Sequence, residues 1–180
     1  MANDDPRARG LFGAAYAVGY FASLGLGQAL PDGSGTVAIE GVAFGDSMGA
    51  RGLCDADMHW CELYPSYHVV NGIGRAARSG GVLLDSACSD ESIVKCLGIQ
   101  TAAGKTEMWI ANLTDALVTA TLTCRQEGTM VSTLSAETAE LAKVDPEFMQ
   151  EGAGMVSAAS YLGWPQLSLP AFAVARVVMN

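Results

Sequence analysis

Positive charge is scarce in this 180-residue chain: 10 Lys and Arg stand against 19 Asp and Glu, for a net charge of -9 at pH 7. No Lys/Arg cluster interrupts the acidic balance. A phosphate backbone therefore has no electrostatic footprint to follow, and no nucleic-acid partner is expected. The five cysteines, Cys54, Cys61, Cys88, Cys96 and Cys124, are odd in number and contain no CxxC. A disulfide framework is disfavoured on that count, and reduced thiols in a cytoplasmic protein are expected. The glycine-rich stretch 41–52 lacks a GK[ST] or GxGxxG context, so phosphate cradling is a weak reading. A long hydrophobic run is also wanting. Residues 11–30 carry no charge, but Gly13, Gly19, Gly25, Gly27, Ser23 and Gln28 dilute them. Neither a signal peptide nor a membrane span is the expected reading; a buried helix is.

What is present suffices for a folded core, since 50% of the residues are hydrophobic. The length predicts one domain, or a small domain joined to a fragment of another. Asn3-Asp4-Asp5-Pro6 is a helix-start signal. Leu11, Ala15, Val18 and Ala22 follow at helical spacing, with Phe12, Tyr16, Tyr20 and Leu24 on an adjoining stripe. A helix apolar on most sides predicts packing on two surfaces. Thr36-Val37-Ala38-Ile39 has the apolar character of a strand buried in a parallel sheet. From Pro65, the residues Val69, Val70, Ile73, Ala76 and Ala77 make an apolar helical face, stopped by Gly80-Gly81.

Beyond Gly81 the grammar changes to strands, over 82–84, 93–99, 108–111, 118–124, 130–134 and 167–179. The clearest alternates Val118, Ala120, Leu122 and Cys124 with Thr119, Thr121 and Thr123, which is period two. Short strands divided by turn signals predict an antiparallel sandwich or roll. The stretch 145–165 has no clear pattern. One parallel strand cannot close a barrel by itself. The chain therefore reads as α+β: residues 1–79 as the terminal helix–strand–helix unit of a (β/α)8 barrel, and 80–180 as an antiparallel β-sandwich. On this reading the earlier barrel units lie elsewhere, in a missing N-terminal portion.

Six stretches carry a resemblance. They are Leu11-Phe12-Gly13-Ala14-Ala15-Tyr16, the strand ending at Glu40, Gly49-Ala50-Arg51-Gly52-Leu53, and Tyr64-Pro65-Ser66-Tyr67-His68-Val69. Ile110-Ala111-Asn112-Leu113-Thr114 and Pro170-Ala171-Phe172-Ala173-Val174-Ala175-Arg176 complete the set. In this order they resemble the D-apionate lactonase (D-apionolactonase) family. The resemblance implies a glycoside hydrolase-like barrel followed by a β-sandwich, and hydrolysis of the lactone of a branched sugar acid. Three departures stand out: the first barrel units are absent, the segment 41–48 is longer than expected, and Tyr16 stands where Trp is common.

The resemblance implies a sugar-acid lactone as the small-molecule ligand, with no cofactor. Glu40, at a strand's C-terminal end, is the candidate catalytic carboxylate, as general base toward water or as a ligand for ring hydroxyls. Arg51, between Gly49 and Gly52, is placed to clamp a carboxylate or lactone carbonyl. An ion pair between Glu40 and Arg51 is the structural alternative. Asp46, in a Gly-Asp-Ser turn, and His68, in a helix's first turn, complete the candidate substrate-binding set. Each has a plainer role open to it, Asp46 as a turn former and His68 as a buried, hydrogen-bonded ring. Cys54, His59 and Cys61 offer metal-ligand chemistry at a spacing that matches no common zinc pattern, so no metal is expected. Asn112-Leu113-Thr114 has the form of a glycosylation sequon and reads as a strand end. Two further functions compete: a glycoside hydrolase fragment acting on another sugar, and a non-catalytic β-sandwich that stabilises a partner. Apolar surface over 11–39 predicts self-association.

Overall fold

The computed structural model of the chain describes residues 6–22, 27–29, 36–38, 62–123, 129–150, 156–157, 159–161 and 164–179. Helix α1, Pro6–Ala22, buries Leu11, Ala14, Ala15 and Val18. Their i, i+3, i+4, i+7 spacing is one helical stripe. Three of its aromatics turn the other way: Phe12, Tyr16 and Tyr20 are exposed. They form a ladder, Phe12 to Tyr16 at 4.3 Å and Tyr16 to Tyr20 at 6.4 Å between ring centroids. The helix does pack on two surfaces, as expected, against the helix over 65–78 and against the strands over 94–100 and 106–112, while the stripe of Phe12, Tyr16 and Tyr20 stays open.

The next segment corrects a strand assignment. Strand β2, Thr36–Ala38, pairs antiparallel with β1, Gly27–Ala29, in a two-stranded sheet with Gly27 opposite Ala38. A parallel strand was expected here. Parallel neighbours require a crossover of about a dozen residues or more, and the short connection over 30–35 permits only a reversal.

Helix α2, Pro65–Arg78, opens on a proline at its first turn and buries His68, Val69, Gly72, Ile73 and Ala76. Its end is a Schellman motif. Gly80 takes φ +86°, Gly80 N donates to Ala77 O at 3.1 Å and Gly81 N donates to Ala76 O at 2.9 Å. Only glycine enters that left-handed conformation without strain. The two helices approach closely because Gly10 has no side chain; a Cβ there would lie 2.9 Å from Pro65 Cδ.

The strands that follow are β3 (Val82–Leu84), β4 (Val94–Gln100), β5 (Thr106–Asn112), β6 (Val118–Thr121) and β7 (Met130–Leu134). After the short helix α3 (Ala139–Ala142) come β8 (Val156–Ser157), β9 (Ala159–Tyr161), β10 (Trp164–Leu169) and β11 (Val174–Met179). A six-stranded sheet has the order β3-β4-β5-β11-β7-β8, and a three-stranded sheet the order β6-β10-β9. Every pairing in both is antiparallel, as the turn-punctuated pattern predicts. The apolar run 167–179 is two strands in different sheets rather than one, turning at 170–173 with Phe172 at φ 52°. Part of the unpatterned stretch 145–165 supplies β8, β9 and the start of β10.

The last strand is the centre of the fold. All six residues of β11 are buried, so the strand is apolar on both faces, apart from one charge. Ala175, Val177 and Met179 face the three-stranded sheet, in a core with Ile110, Leu122, Leu167 and Leu169. Val174, by alternation, belongs to the opposite core with Leu97, Trp109, Leu134 and the buried residues of α1 and α2. Burying each such side chain stabilises the fold by about 1.5–3 kcal/mol. The molecule is thus three layers deep: helices, six-stranded sheet, three-stranded sheet. The alternation at 118–123 also holds, with Thr119, Thr121 and Thr123 exposed and Leu122 buried.

Candidate functional site

Of the residues expected to carry chemistry, Glu40, Asp46 and Arg51 lie outside the described residues, as do Cys54, His59 and Cys61. His68 is described. The apolar stripe of α2 turns its ring inward, and it is 0% exposed. His68 Nε2 lies 2.8 Å from Ala142 O. A carbonyl can only accept, so Nε2 carries the proton and donates. Nδ1 is then the basic nitrogen, and it has no hydrogen-bond partner among the described residues. Tyr67 and Phe148 meet the ring edge-on, at 5.3 Å and 5.9 Å. Burial pulls the imidazole pKa below its ordinary value, against smaller upward pulls from the Ala142 bond and the Asp145 charge. The ring is therefore neutral at pH 7. It ties the first turn of α2 to α3, and the backbone bond from Leu63 N to Lys143 O, 2.9 Å, makes a second tie nearby.

A second polar centre lies under the helices, and no sequence motif announced it. Arg176 on β11 and Glu107 on β5 are both buried. Arg176 Nη2 donates to Glu107 Oε1 at 2.7 Å and Nε donates to Oε2 at 3.1 Å, a two-pronged pair. Its remaining nitrogen, Nη1, donates to Met149 O at 2.9 Å, and the guanidinium carbon lies 5.9 Å from the Trp109 ring centroid. Register explains the meeting: Arg176 is opposite Trp109 and Val178 opposite Glu107, so the three side chains share a face. The signal was readable. A lone Glu in one strand and a lone Arg in another, each amid apolar residues, need one another if both strands are buried. Trp109 fits beneath because Gly72 leaves room; a Cβ there would stand 2.4 Å from the indole ring.

Asn112, the sequon residue, is 0% exposed. Its Nδ2 lies 2.7, 3.0 and 2.8 Å from the carbonyls of Ala116, Leu169 and Pro170. Oδ1 accepts from Thr114 N at 2.9 Å and from Thr114 Oγ1 at 2.8 Å. The amide is committed to pinning the β10–β11 turn and is closed to a glycan. Among the described residues, no group of three His, Cys, Asp or Glu is placed to hold a metal ion. No helix among them is long and apolar enough to cross a membrane.

Comparison with known proteins places these features. The family model for the D-apionate lactonase TIM barrel domain matches residues 1–78, and the model for the D-apionate lactonase C-terminal immunoglobulin-like domain matches residues 91–177. No protein of curated function matches the chain. Among solved structures, the catalytic domain of GH30 xylanase C from Talaromyces cellulolyticus is similar at a TM-score of 0.55 and 16% identity. That likeness covers 73% of this chain and 28% of the xylanase domain. A glycoside hydrolase family 30 subfamily 8 xylanase from Clostridium acetobutylicum gives a TM-score of 0.51 at 19% identity, over 72% of this chain and 31% of that one. The chain thus spans less than a third of the length of either. At such identities the likeness is one of fold.

Proposed function

Because the chain belongs to the D-apionate lactonase family, we propose that it is the C-terminal portion of a sugar-acid lactone hydrolase, acting on D-apionate lactone to give D-apionate. The observation that carries this reading is the pair of family domains matched in order along one chain. In the proposed reaction water adds to the lactone carbonyl, the ring C–O bond breaks, and a carboxylate and a hydroxyl are left. Glu40 is assigned the general-base or hydroxyl-binding role, and Arg51 the clamp on carbonyl or carboxylate. Asp46 is assigned a substrate-facing turn. His68 was expected to touch the ligand; its full burial and its bond to Ala142 O favour a part at one remove, in fixing the start of α2. The remaining barrel strands are the required partner, and without them this chain is expected to be inactive. The division into 1–79 and 80–180, the absence of a cofactor and a cytoplasmic location belong to the same proposal.

The experiment is a lactone-hydrolysis assay on this chain and on a longer protein carrying upstream barrel sequence. The longer protein is expected to turn over D-apionate lactone, and Glu40→Gln in it to lower kcat by about a hundredfold or more, the scale of a lost general base. No turnover of the lactone by the longer protein removes the proposed activity. Turnover of glycosides in its place would make the chain part of a glycoside hydrolase.

A further inference from the structure

Two thiols with no part in the proposed reaction lie together at the rim of the sandwich. Cys96 is the third residue of β4 and is 8% exposed, facing the core between the two sheets. Cys88, partly exposed, lies in the connection from β3 to β4 and packs against the same core. The two Sγ atoms are 2.9 Å apart, well inside the separation at which unbonded sulfurs rest. The connection is anchored on both sides of Cys88. Before it, Ser86 Oγ accepts from Gly98 N at 2.8 Å and donates to Leu84 O at 2.9 Å. After it, Asp90 Oδ1 accepts from Ser92 N at 2.9 Å and from Ser92 Oγ at 2.6 Å. Asp90 O takes Val94 N at 3.0 Å. An ordered turn, not a swinging loop, brings the sulfurs together.

We propose that Cys88 and Cys96 are an oxidisable pair that closes to an intrachain disulfide on meeting a low-molecular-weight disulfide such as oxidised glutathione. The Cys88 thiolate attacks one sulfur of the oxidant, the oxidant's S–S bond breaks, and one small thiolate leaves. Cys96 then gives its proton to solvent and attacks Cys88 Sγ. The mixed disulfide breaks and releases the second small thiol. The cysteine pair loses two electrons and the small disulfide gains them. The order of events follows from the surroundings. The hydrogen bond with Cys96 holds the Cys88 thiol below the ordinary thiol pKa, and Cys88 reaches solvent. The same bond, together with burial, holds Cys96 above it. A low-pKa, accessible thiol beside a buried resolving partner is the arrangement that favours exchange. The closed bond staples the β3–β4 connection, next to the sheet's edge, onto the sandwich core.

Trypsin separates the two residues, because it cuts after Arg78, Lys95 and Lys105. Treating the folded chain with oxidised glutathione and mapping it without reduction is expected to give peptide 79–95 joined to peptide 96–105, with glutathione on neither. Cys96→Ser is expected to retain a glutathione adduct on Cys88, and Cys88→Ser to leave Cys96 unmodified. A wild-type chain that ends with glutathione on Cys88 and a free Cys96, with both thiols unreacted, or with either joined to Cys54, Cys61 or Cys124, overturns the proposal. The wild-type map decides even if a variant fails to fold.

Discussion

The two faces of the six-stranded sheet are covered by different means and are built to different tolerances. The face toward β6, β10 and β9 is filled with Ile110, Val177, Met179, Leu167 and Leu169; Asn112, at the end of β5, divides its side-chain bonds between the 112–116 turn and the β10–β11 turn. The face toward the helices holds a buried ion pair, a tryptophan seated on a glycine, and a neutral histidine. It also holds polar atoms without hydrogen-bond partners among the described residues, on Trp109 and His68. The first face is made by strands whose period-two pattern already sorts side chains inward and outward, so shape can vary while burial is kept. The second joins α1, α2 and the 139–150 segment, which are far apart in sequence. There the fit depends on particular groups meeting. The helical face is the less forgiving of the two.

The largest expected effect comes from breaking the ion pair. Arg176→Met leaves Glu107 buried without its partner and is expected to cost about 3–5 kcal/mol. Removing both charges, as Glu107→Met with Arg176→Met, should recover most of that loss in urea denaturation. If the single and double variants are equally destabilised, the pair is not what makes this face exacting. Next, Gly72→Val drives a side chain into the Trp109 ring, and overpacking of this kind costs about 1–3 kcal/mol. The near-UV signal of the tryptophan reports it independently. On the sandwich face the matched small change, Ile110→Val, is expected to cost only about 0.5–1.5 kcal/mol. A larger loss there than at Gly72 would reverse the comparison.

The smallest effect is one of pH. The His68 pKa is lowered in the folded chain, so between the folded and unfolded values the unfolded state binds more protons. Stability from this group is complete above the unfolded value, about 6.5, and is lost as pH falls through the folded one. The urea midpoint should drop between pH 7.5 and 5.5 by more in wild type than in His68→Gln. Equal drops would place the pH dependence elsewhere.

Much of the architecture was legible residue by residue. Pro65 and Gly80-Gly81 bracket α2 because a proline suits a first turn and a glycine suits the left-handed residue after a last one. The threonines at 119, 121 and 123 marked the outer face of β6 and the residues just after it. The β-domain stretches that carried the family resemblance, around Asn112 and Arg176, prove to hold its buried polar junctions. Three things were not legible. Antiparallel pairing of 36–38 depends on which strand is in reach, not on the strand's own composition. The division of 167–179 into two sheets hangs on a turn at Phe172 that its apolar surroundings conceal. The meeting of Cys88 and Cys96 is invisible to a count of cysteines, since an odd total says nothing of which two are neighbours.

The amino-acid sequence by itself determined the two long helices, most of the strands beyond Gly81 with their apolar sides, and the family resemblance. These are local properties, set by backbone preference and by the period of the pattern. The tertiary structure alone decided that Trp109 would rest on Gly72, that His68 would donate its hydrogen bond to Ala142 O, and that Cys88 would meet Cys96. Such meetings are fixed by register, by the path of a turn and by helix packing. A charge or ring buried in one element acquires its role only from what the other elements bring to it.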